Sequence, residues 1–350
     1  MNQFGKLSEG PFFALALVTL IIACLALTRD YAVPIAIAVL IWFLINGLAD
    51  GLRRLPGVGE RLPRGLAQVF SALILFAALF VSARIVVQNA TALGATITEA
   101  DGPIVDALRT LIADFGLEDR FRPRTLIETL RLEDLIAPAL TTAQGLISDA
   151  AIVILYVMFL LIDERFFPAK LNALFPDPAR RARLTETIGE IAEETRAYLW
   201  LMSMLSAGVA LATYAICSAV GLEGAGFWGF LAFALNFVPT IGSITAVVLP
   251  AVYGLLTLAD PTQLAILIAG LAATQFIAGE VVLPRIMSDR LNLSSFVILL
   301  VLIVWGAIWG PAGMFLAIPI TVILAMICAK FEGTRAIAIL LSRDGRLPEE

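Results

Sequence analysis

Two long uncharged stretches near the C-terminal end constrain the fold of this chain more than any other feature. The first covers 35 residues, Ala225 to Ala259, and the second covers 34 residues, Phe296 to Ala329; neither contains a charged side chain. A straight helix of that length would be about 50 Å long, whereas the hydrocarbon core of a bilayer is about 30 Å thick. Neither stretch therefore fits a membrane as one straight span.

Helix-breaking residues lie in the middle of both stretches. The first contains Asn236, Pro239 and Gly242, and the second contains Gly310 and Gly313. Two alternatives stay open for each stretch: a long, kinked and tilted helix, or a re-entrant hairpin of two half-helices. Irregular backbone is tolerated at membrane depth only where protein or a water-filled cavity surrounds it. Two broken apolar segments in corresponding positions are typical of a transporter's binding site.

The composition defines the fold class. The chain is 60% hydrophobic and 15% charged, with a mean hydropathy of +0.92, and several apolar runs reach the spanning length. We predict an all-α, polytopic integral membrane protein with about six full spans plus two broken, re-entrant helical hairpins. The chain has no histidine, which excludes histidine metal sites and histidine proton relays. We find no zinc signature, nucleotide loop or nucleophile–base motif, so we predict neither an enzyme nor any cofactor.

The spans divide the chain into five predicted segments. Residues 85–146 carry charges throughout, with apolar residues at helical spacing, which predicts amphipathic helices outside the membrane or along its surface. Asp177-Pro178 is a good helix start, and that helix is expected to continue directly into the next span. The segments are three N-terminal spans (1–84), an amphipathic extracytoplasmic segment (85–146), a fourth span with a cytoplasmic helix (147–196), a transport core with both broken stretches (197–330) and a cytoplasmic tail (331–350).

The basic residues predict the orientation. If both stretches are hairpins, most of the 24 lysines and arginines lie on one side, which the positive-inside rule makes the cytoplasm. Both termini are then cytoplasmic. If both stretches were single spans, Arg285 and Arg290 would move outside, so the rule mildly favours hairpins. Each hairpin follows a span and the two units enter from opposite sides, an inverted repeat of topology that we do not find at the level of residues.

The polar residues near the breaks have two interpretations each. The amide of Asn236 and the backbone groups freed by Pro239 and Gly242 bind a solute or cation, or they belong to a kink satisfied by neighbouring helices. We favour the first, because two breaks occur together. Glu280 lies at the predicted end of a span. It is either a headgroup-level carboxylate paired with Arg285 or a proton- or cation-carrying group facing a cavity.

Three motifs resemble those of a known family. They are Asn236-Phe-Val-Pro239-x-Ile-Gly242, Glu280-Val-Val-Leu-Pro284-Arg285 and Trp309-Gly310-x-x-Gly313-Met314-x-x-Ala317-Ile-Pro319. In this order they resemble the autoinducer-2 exporter family of bacterial permeases, and the resemblance covers nearly the whole chain. It implies an inner-membrane exporter of a small molecule, whereas some members look like sodium/proton antiporters. This chain carries Thr240 and Ser243 where relatives often have an aromatic residue and a proline.

We therefore predict a multi-pass secondary transporter of the bacterial inner membrane that exports a small polar molecule, such as an autoinducer-2-like signal. The alternatives are a sodium/proton antiporter of the same family, with possible coupling to H⁺ or Na⁺, and a non-transporting structural membrane protein. Expected partners are the solute, the lipid bilayer and further copies of the chain, without nucleic acid. Small residues at four-residue spacing, beginning at Gly270, and the resemblance suggest the homo-oligomer. The candidate transport-site residues are Asn236, Pro239, Thr240, Gly242, Gln275, Glu280, Pro284, Arg285, Gly310, Gly313 and Pro319.

Overall fold

The computed structural model describes residues 16–17, 19–55, 62–99, 150–287, 293–330 and 333–345. Within these ranges the regular structure is helical, apart from one isolated antiparallel bridge between Leu293 and Ser342. The helices are α1 (19–27), α2 (Arg29–Arg53), α3 (Arg64–Glu99), α4 (150–163), α5 (Phe167–Leu174), α6 (Pro178–Ala219), α7 (Ala225–Leu235), α8 (Ile241–Thr257), α9 (Pro261–Phe276), α10 (Leu283–Met287), α11 (Ser295–Lys330) and α12 (Arg335–Leu341). A 3₁₀ turn, Glu164–Phe166, precedes α5, and a π-helical segment, Ile277–Val282, joins α9 to α10.

Five helical stretches in the described part of the chain are long and apolar enough to cross a membrane. The chain is therefore a polytopic helical membrane protein, as its composition predicts. The stretches are Arg29–Arg53, Arg64–Ile85, Pro178–Ala219, Pro261–Arg285 and Phe296–Lys330.

Other predicted elements fall partly or wholly outside the described ranges. The predicted first span is helical over 19–27, and the predicted fourth span is helical from residue 150. Most of the predicted amphipathic segment, residues 100–146, lies outside the described residues. The candidate third span ends at Ile85, close to the predicted end at residue 84, and α3 continues beyond it to Glu99.

Two Asp-Pro pairs begin helices, and the first of them, Asp177-Pro178, was predicted to do so. An oxygen of the Asp177 carboxylate accepts a hydrogen bond from the backbone N–H of Ala179 at 3.0 Å, and Pro178 is the first residue of α6. Asp260 caps α9 in the same way, at 2.8 Å from the N–H of Thr262. Proline suits the first helical position because its missing N–H would have no intrahelical partner there. The predicted continuous passage from the polar helix into the next span is confirmed, because α6 runs unbroken for 42 residues.

The chain divides into two compact units. The unit that contains residues 45–151 and 200–289 has an apolar core built from α6 to α9. The Trp228 ring lies 5.0 Å from that of Phe227 and 5.5 Å from that of Tyr253, between centroids. Its indole N–H donates to the carbonyl of Glu223 at 3.2 Å. This indole therefore links the start of α7 to α8 with its one polar atom satisfied.

Small residues bring the helices of this unit close together. A Cβ built on Gly229 of α7 would lie 2.9 Å from the carbonyl oxygen of Ala210 on α6. A Cβ on Gly254 of α8 would lie 2.6 Å from the Leu267 side chain on α9. Helices in membranes associate through such close packing, because the lipid tails are as apolar as the side chains.

The unit that contains residues 1–44, 152–199 and 290–350 is joined by polar contacts between segments distant in sequence. The indole N–H of Trp309 donates to the carbonyl of Leu25 at 3.0 Å. The ammonium group of Lys330 lies 2.8 Å from a carboxylate oxygen of Glu190. This ion pair ties the end of α11 to the polar part of α6.

Candidate functional site

The first break begins at Asn236, the residue that directly follows α7. The Asn236 side chain is buried, and its Nδ2 donates to the hydroxyl oxygen of Ser206 on α6 at 2.9 Å. A neighbouring helix thus satisfies part of the amide, as the kink interpretation requires. No hydrogen bond from the described part of the chain reaches Oδ1 of this amide. Oδ1 of Asn236 is therefore able to accept a hydrogen bond from a solute.

The backbone turns sharply at Thr240. Its dihedral angles are φ 64° and ψ −63°, and the N–H of Ile241 donates to the carbonyl of Pro239 at 2.7 Å. An i to i+2 hydrogen bond around a residue with these angles is a γ-turn of the strained type. Thr240 is the one non-glycine residue with positive φ among the described residues, and threonine is β-branched, which makes this conformation costly. Its side chain is exposed.

Gly242 shows that the chain reverses direction at this turn. A Cβ built on Gly242 would overlap the carbonyl oxygen of Leu235 and lie 2.7 Å from its carbonyl carbon. In a straight helix these two residues would be about 10 Å apart along the axis. Helices α7 and α8 therefore fold back on each other, with Gly242 at the closest approach. No side chain larger than hydrogen fits at this position without movement of the backbone.

The second break has the same construction at Gly310. This residue has φ 66° and ψ −146°, so α11 consists of two helices, 295–309 and 311–330. A Cβ on Gly313 would overlap the carbonyl oxygen of Trp305 and lie 2.7 Å from its carbonyl carbon. In a straight helix these residues would be about 12 Å apart along the axis. The chain therefore reverses direction here as well.

The ends of α11 support this reversal independently. Leu293, just before α11, bridges to Ser342, and the N–H of Ser294 donates to the carbonyl of Leu341 at 3.1 Å. A straight helix over Ser295–Lys330 would be about 53 Å long, but residues 331–342 would reach at most about 40 Å when fully extended. Seven of those residues form α12, which shortens the reach further. The two ends of α11 are therefore closer together than a straight helix would place them.

Glu280 lies inside a helix and not at its end. The π-helical segment Ile277–Val282 continues α9, and α10 follows to Met287 without interruption. The candidate span therefore continues past Gly279 and ends at Arg285, because a π turn absorbs the irregularity that Gly279 and Pro284 indicate. Single π turns are rare in proteins, and those that occur are frequently found at functional sites. The Glu280 side chain is exposed.

The environment of Glu280 bears on its two interpretations. The structure forms no ion pair between Glu280 and Arg285, both of which it describes, so the expected pairing one turn apart is not made. Two residues before the π segment, the buried Oε1 of Gln275 has no hydrogen-bond partner in the described part of the chain. Ala278, within the π segment, packs in one cluster with Ala232 of α7 and Ala246 of α8. The π segment therefore contacts both helices of the first reversal.

The predicted site residues fall into two groups. Those of the first break and the π segment belong to the unit with residues 45–151 and 200–289, whereas Gly310, Gly313 and the buried Pro319 belong to the other unit. Sequence reasoning missed Ser206, because one hydroxyl in an apolar helix gives no signal. It also missed the buried Asn46, whose Oδ1 accepts from the Gln68 amide at 2.8 Å. The available signal for this contact was that Asn46 and Gln68 are polar side chains inside two predicted spans.

The small-residue stripe on α9 packs inside the chain. A Cβ on Gly270 would lie 3.2 Å from the Ile216 side chain of α6, and the Thr274 hydroxyl donates to the carbonyl of Gly270 at 2.8 Å. Ala278, the third member of the stripe, is buried. This face is therefore occupied by contacts within the chain, and the stripe carries no argument for self-association.

A polytopic helical protein with two chain reversals inside uncharged apolar stretches is built as a membrane transporter. Residues 14–333 match the profile of the AI-2E family transporters, and the chain belongs to that family. It is 27% identical to the AI-2 transport protein TqsA of Escherichia coli strain K12, over 94% of each chain. It is also 24% identical to a putative transport protein of Haemophilus influenzae, over 93% of this chain and 94% of that one. With the putative transport protein YhhT of Escherichia coli strain K12 it shares 29% identity over 58% of this chain and 57% of that one.

Proposed function

We propose that this protein is a secondary transporter of the bacterial inner membrane that exports a small polar molecule. Its relative TqsA is named an AI-2 transport protein, and an autoinducer-2-like signal is the first solute to test. The observation that carries the proposal is the pair of reversals at Gly242 and Gly313, each inside an uncharged stretch. Reversals at membrane depth leave backbone groups free to bind a solute.

The reversals support re-entrant hairpins rather than kinked spans. The 11 residues of α7 and the 17 residues of α8 give legs of about 16 and 25 Å, both shorter than the hydrocarbon core of about 30 Å. In the second stretch the bridge between Leu293 and Ser342 brings the two ends closer together than a straight helix allows, which supports a re-entrant segment. We place the turns of both hairpins within the membrane and both termini in the cytoplasm, and this puts residues 284–295 on the cytoplasmic side.

A reporter cysteine tests this topology. The three native cysteines are replaced, a cysteine is introduced at Ser288, and intact cells are treated with a membrane-impermeant thiol reagent. We expect labelling only after the membrane is permeabilised. A cysteine in place of Thr262, at the start of α9, is the matched control, because the same topology places it outside. Labelling of the Ser288 position from outside would contradict the hairpin topology.

The first hairpin supplies the solute site in this proposal. The free Oδ1 of Asn236 accepts from a donor on the solute, and the exposed Thr240 hydroxyl contributes a second polar contact. Glu280 and the unpartnered Oε1 of Gln275 lie on the π-containing helix that packs against the same hairpin. Protonation of Glu280, or binding of a cation to it, then biases the side to which the site opens. Each subunit of the expected homo-oligomer contains one such pathway.

Flux in proteoliposomes tests the function. Purified protein is reconstituted with a labelled autoinducer-2-type solute inside, and its efflux is measured with no gradient, with a proton gradient and with a sodium gradient. We expect protein-dependent efflux that a gradient accelerates. Sodium/proton exchange without solute flux would instead support the antiporter, for which the exposed Glu280 in a π turn is the favouring observation. The absence of any flux would favour a structural role.

A further inference from the structure

The segment between α4 and α6 exposes large apolar side chains. It comprises residues 163–183 and is called the arginine segment below. Neither its 3₁₀ turn nor α5 contains a buried residue. Phe166 is 44% exposed, Phe167 is 45% exposed and Leu174 is 70% exposed. The segment directly follows the apolar helix α4. These exposed side chains therefore lie next to the end of an apolar helix.

The carboxylates of this segment are all engaged. Asp163 pairs with Lys170 at 2.7 Å, between carboxylate oxygen and ammonium nitrogen. Glu164 accepts a hydrogen bond from the indole N–H of Trp42 at 2.9 Å. The third, Asp177, caps α6 through the backbone N–H of Ala179. Neither Glu164 nor Asp177 forms an ion pair with an arginine of the segment, all of whose residues the structure describes.

Four arginines of the segment remain without a carboxylate partner in the described part of the chain: Arg165, Arg180, Arg181 and Arg183. Two of them lie over aromatic rings. The guanidinium carbon of Arg165 is 4.6 Å from the Phe166 ring centroid, and that of Arg180 is 5.5 Å from the Phe175 centroid. A ring face attracts a guanidinium group at this distance without using its N–H groups, which stay free to donate.

We propose that the arginine segment binds the headgroups of anionic phospholipids. A guanidinium donates two parallel hydrogen bonds to a phosphate, and the unpaired arginines supply four such groups. The exposed Phe166, Phe167 and Leu174 insert between headgroup and acyl chain, as apolar residues of interfacial helices do. An acidic protein would match the charge alone. A lipid surface matches the charge, the exposed phenylalanines and the continuity with an apolar helix.

Lipid titration of the full-length protein tests this inference. The three native cysteines are replaced, an environment-sensitive fluorophore is attached to a cysteine in place of Asn172 on α5, and the protein in mild detergent is titrated with phosphatidylglycerol or phosphatidylcholine. We expect saturable binding of phosphatidylglycerol that weakens as salt rises, and much weaker binding of phosphatidylcholine. Each arginine near an anionic surface contributes about fivefold in affinity, so the Arg180→Gln/Arg183→Gln variant should bind about 25-fold more weakly.

Matched variants keep the result interpretable. Arg53→Gln/Arg54→Gln removes the same charge from two exposed arginines outside the segment. Because the fluorophore on α5 reports lipid bound at the segment itself, this titration should stay within about twofold of the parent. Arg180→Lys/Arg183→Lys keeps the charge and should fall between the parent and the glutamine variant. Equal affinity for both lipids, or equal losses in the Arg53/Arg54 variant, would overturn the proposal. So would a response to soluble polyglutamate that matches the response to phosphatidylglycerol. The readout is lipid binding, so its outcome is independent of whether the protein transports a solute.

Discussion

Gly242 and Gly313 give the sharpest test of the two chain reversals. At each position a Cβ would overlap a backbone carbonyl oxygen, that of Leu235 or that of Trp305. A flexible side chain could rotate away, but a helix carbonyl cannot move without breaking its own hydrogen bonds. Gly242→Ala and Gly313→Ala should therefore force the legs of each reversal apart. Gly208, inside α6, is the matched control because a Cβ there would have nothing within 4 Å.

The expected size of the effect follows from this geometry. Overpacking a well-packed core costs about 1–3 kcal/mol, and contact with rigid backbone places these substitutions at the upper end. Gly208→Ala should be neutral or stabilising by up to about 1 kcal/mol, because alanine favours the helix more than glycine does. The stability of each reversal variant should thus fall below that of Gly208→Ala by about 2–4 kcal/mol.

Unfolding in mixed micelles measures this difference. The purified variants are titrated with a denaturing detergent, and the loss of helix is followed by circular dichroism at matched lipid content. If Gly242→Ala and Gly313→Ala unfold together with Gly208→Ala, the two glycines are not close to the opposing carbonyls. The stretches would then be kinked helices, and the reasoning from the reversals would fail.

Three further substitutions test the first reversal and the π segment. Thr240→Gly should stabilise the protein by about 0.5–2 kcal/mol, because it relieves about 1–3 kcal/mol of positive-φ strain at a smaller entropic cost. Thr240→Ala should not stabilise it, and unfolding in mixed micelles compares the two variants. A double-mutant cycle of Asn236→Ala and Ser206→Ala should give a coupling energy of about 0.6 kcal/mol, and additive losses would show that their hydrogen bond contributes nothing. Glu280→Gln should keep solute binding in proteoliposomes but lose the dependence of flux on pH or sodium. Unchanged ion dependence in that variant would make the carboxylate a surface anchor.

The sequence predicted those features that local chemistry determines. Asp177-Pro178 marks a helix start because the carboxylate and the proline act within one turn. Proline and glycine inside uncharged stretches mark breaks, because both disfavour a continuous helix whatever surrounds it. The position of the breaks was thus readable at Pro239, Gly242 and Gly310.

Other features depend on partners distant in sequence and were not readable. The Ser206 hydroxyl oxygen accepts a hydrogen bond from the amide of Asn236, which is 30 residues away in the sequence. Nothing in the sequence of α6 distinguishes this hydroxyl from others. The π turn at Ile277–Val282 differs from an α-helix by one residue per turn, which a hydrophobic pattern cannot resolve. Positive φ at Thr240 opposes the preference of threonine, so local propensity predicts the wrong conformation there. The surrounding structure imposes it.

The two reversals show how one geometry arises from unlike sequences. The first uses a strained γ-turn at Thr240 and places glycine two residues later; the second uses a glycine in positive φ at Gly310 and places glycine three residues later. In both, the later glycine lies against the carbonyl of the residue that ends, or nearly ends, the preceding helix. A comparison of residues finds no repeat, because what recurs is the close approach and not the turn that produces it. An inverted repeat of topology would therefore have the close approach at Gly242 and at Gly313 as its common feature. The turn residues that precede these two glycines would differ between the two halves.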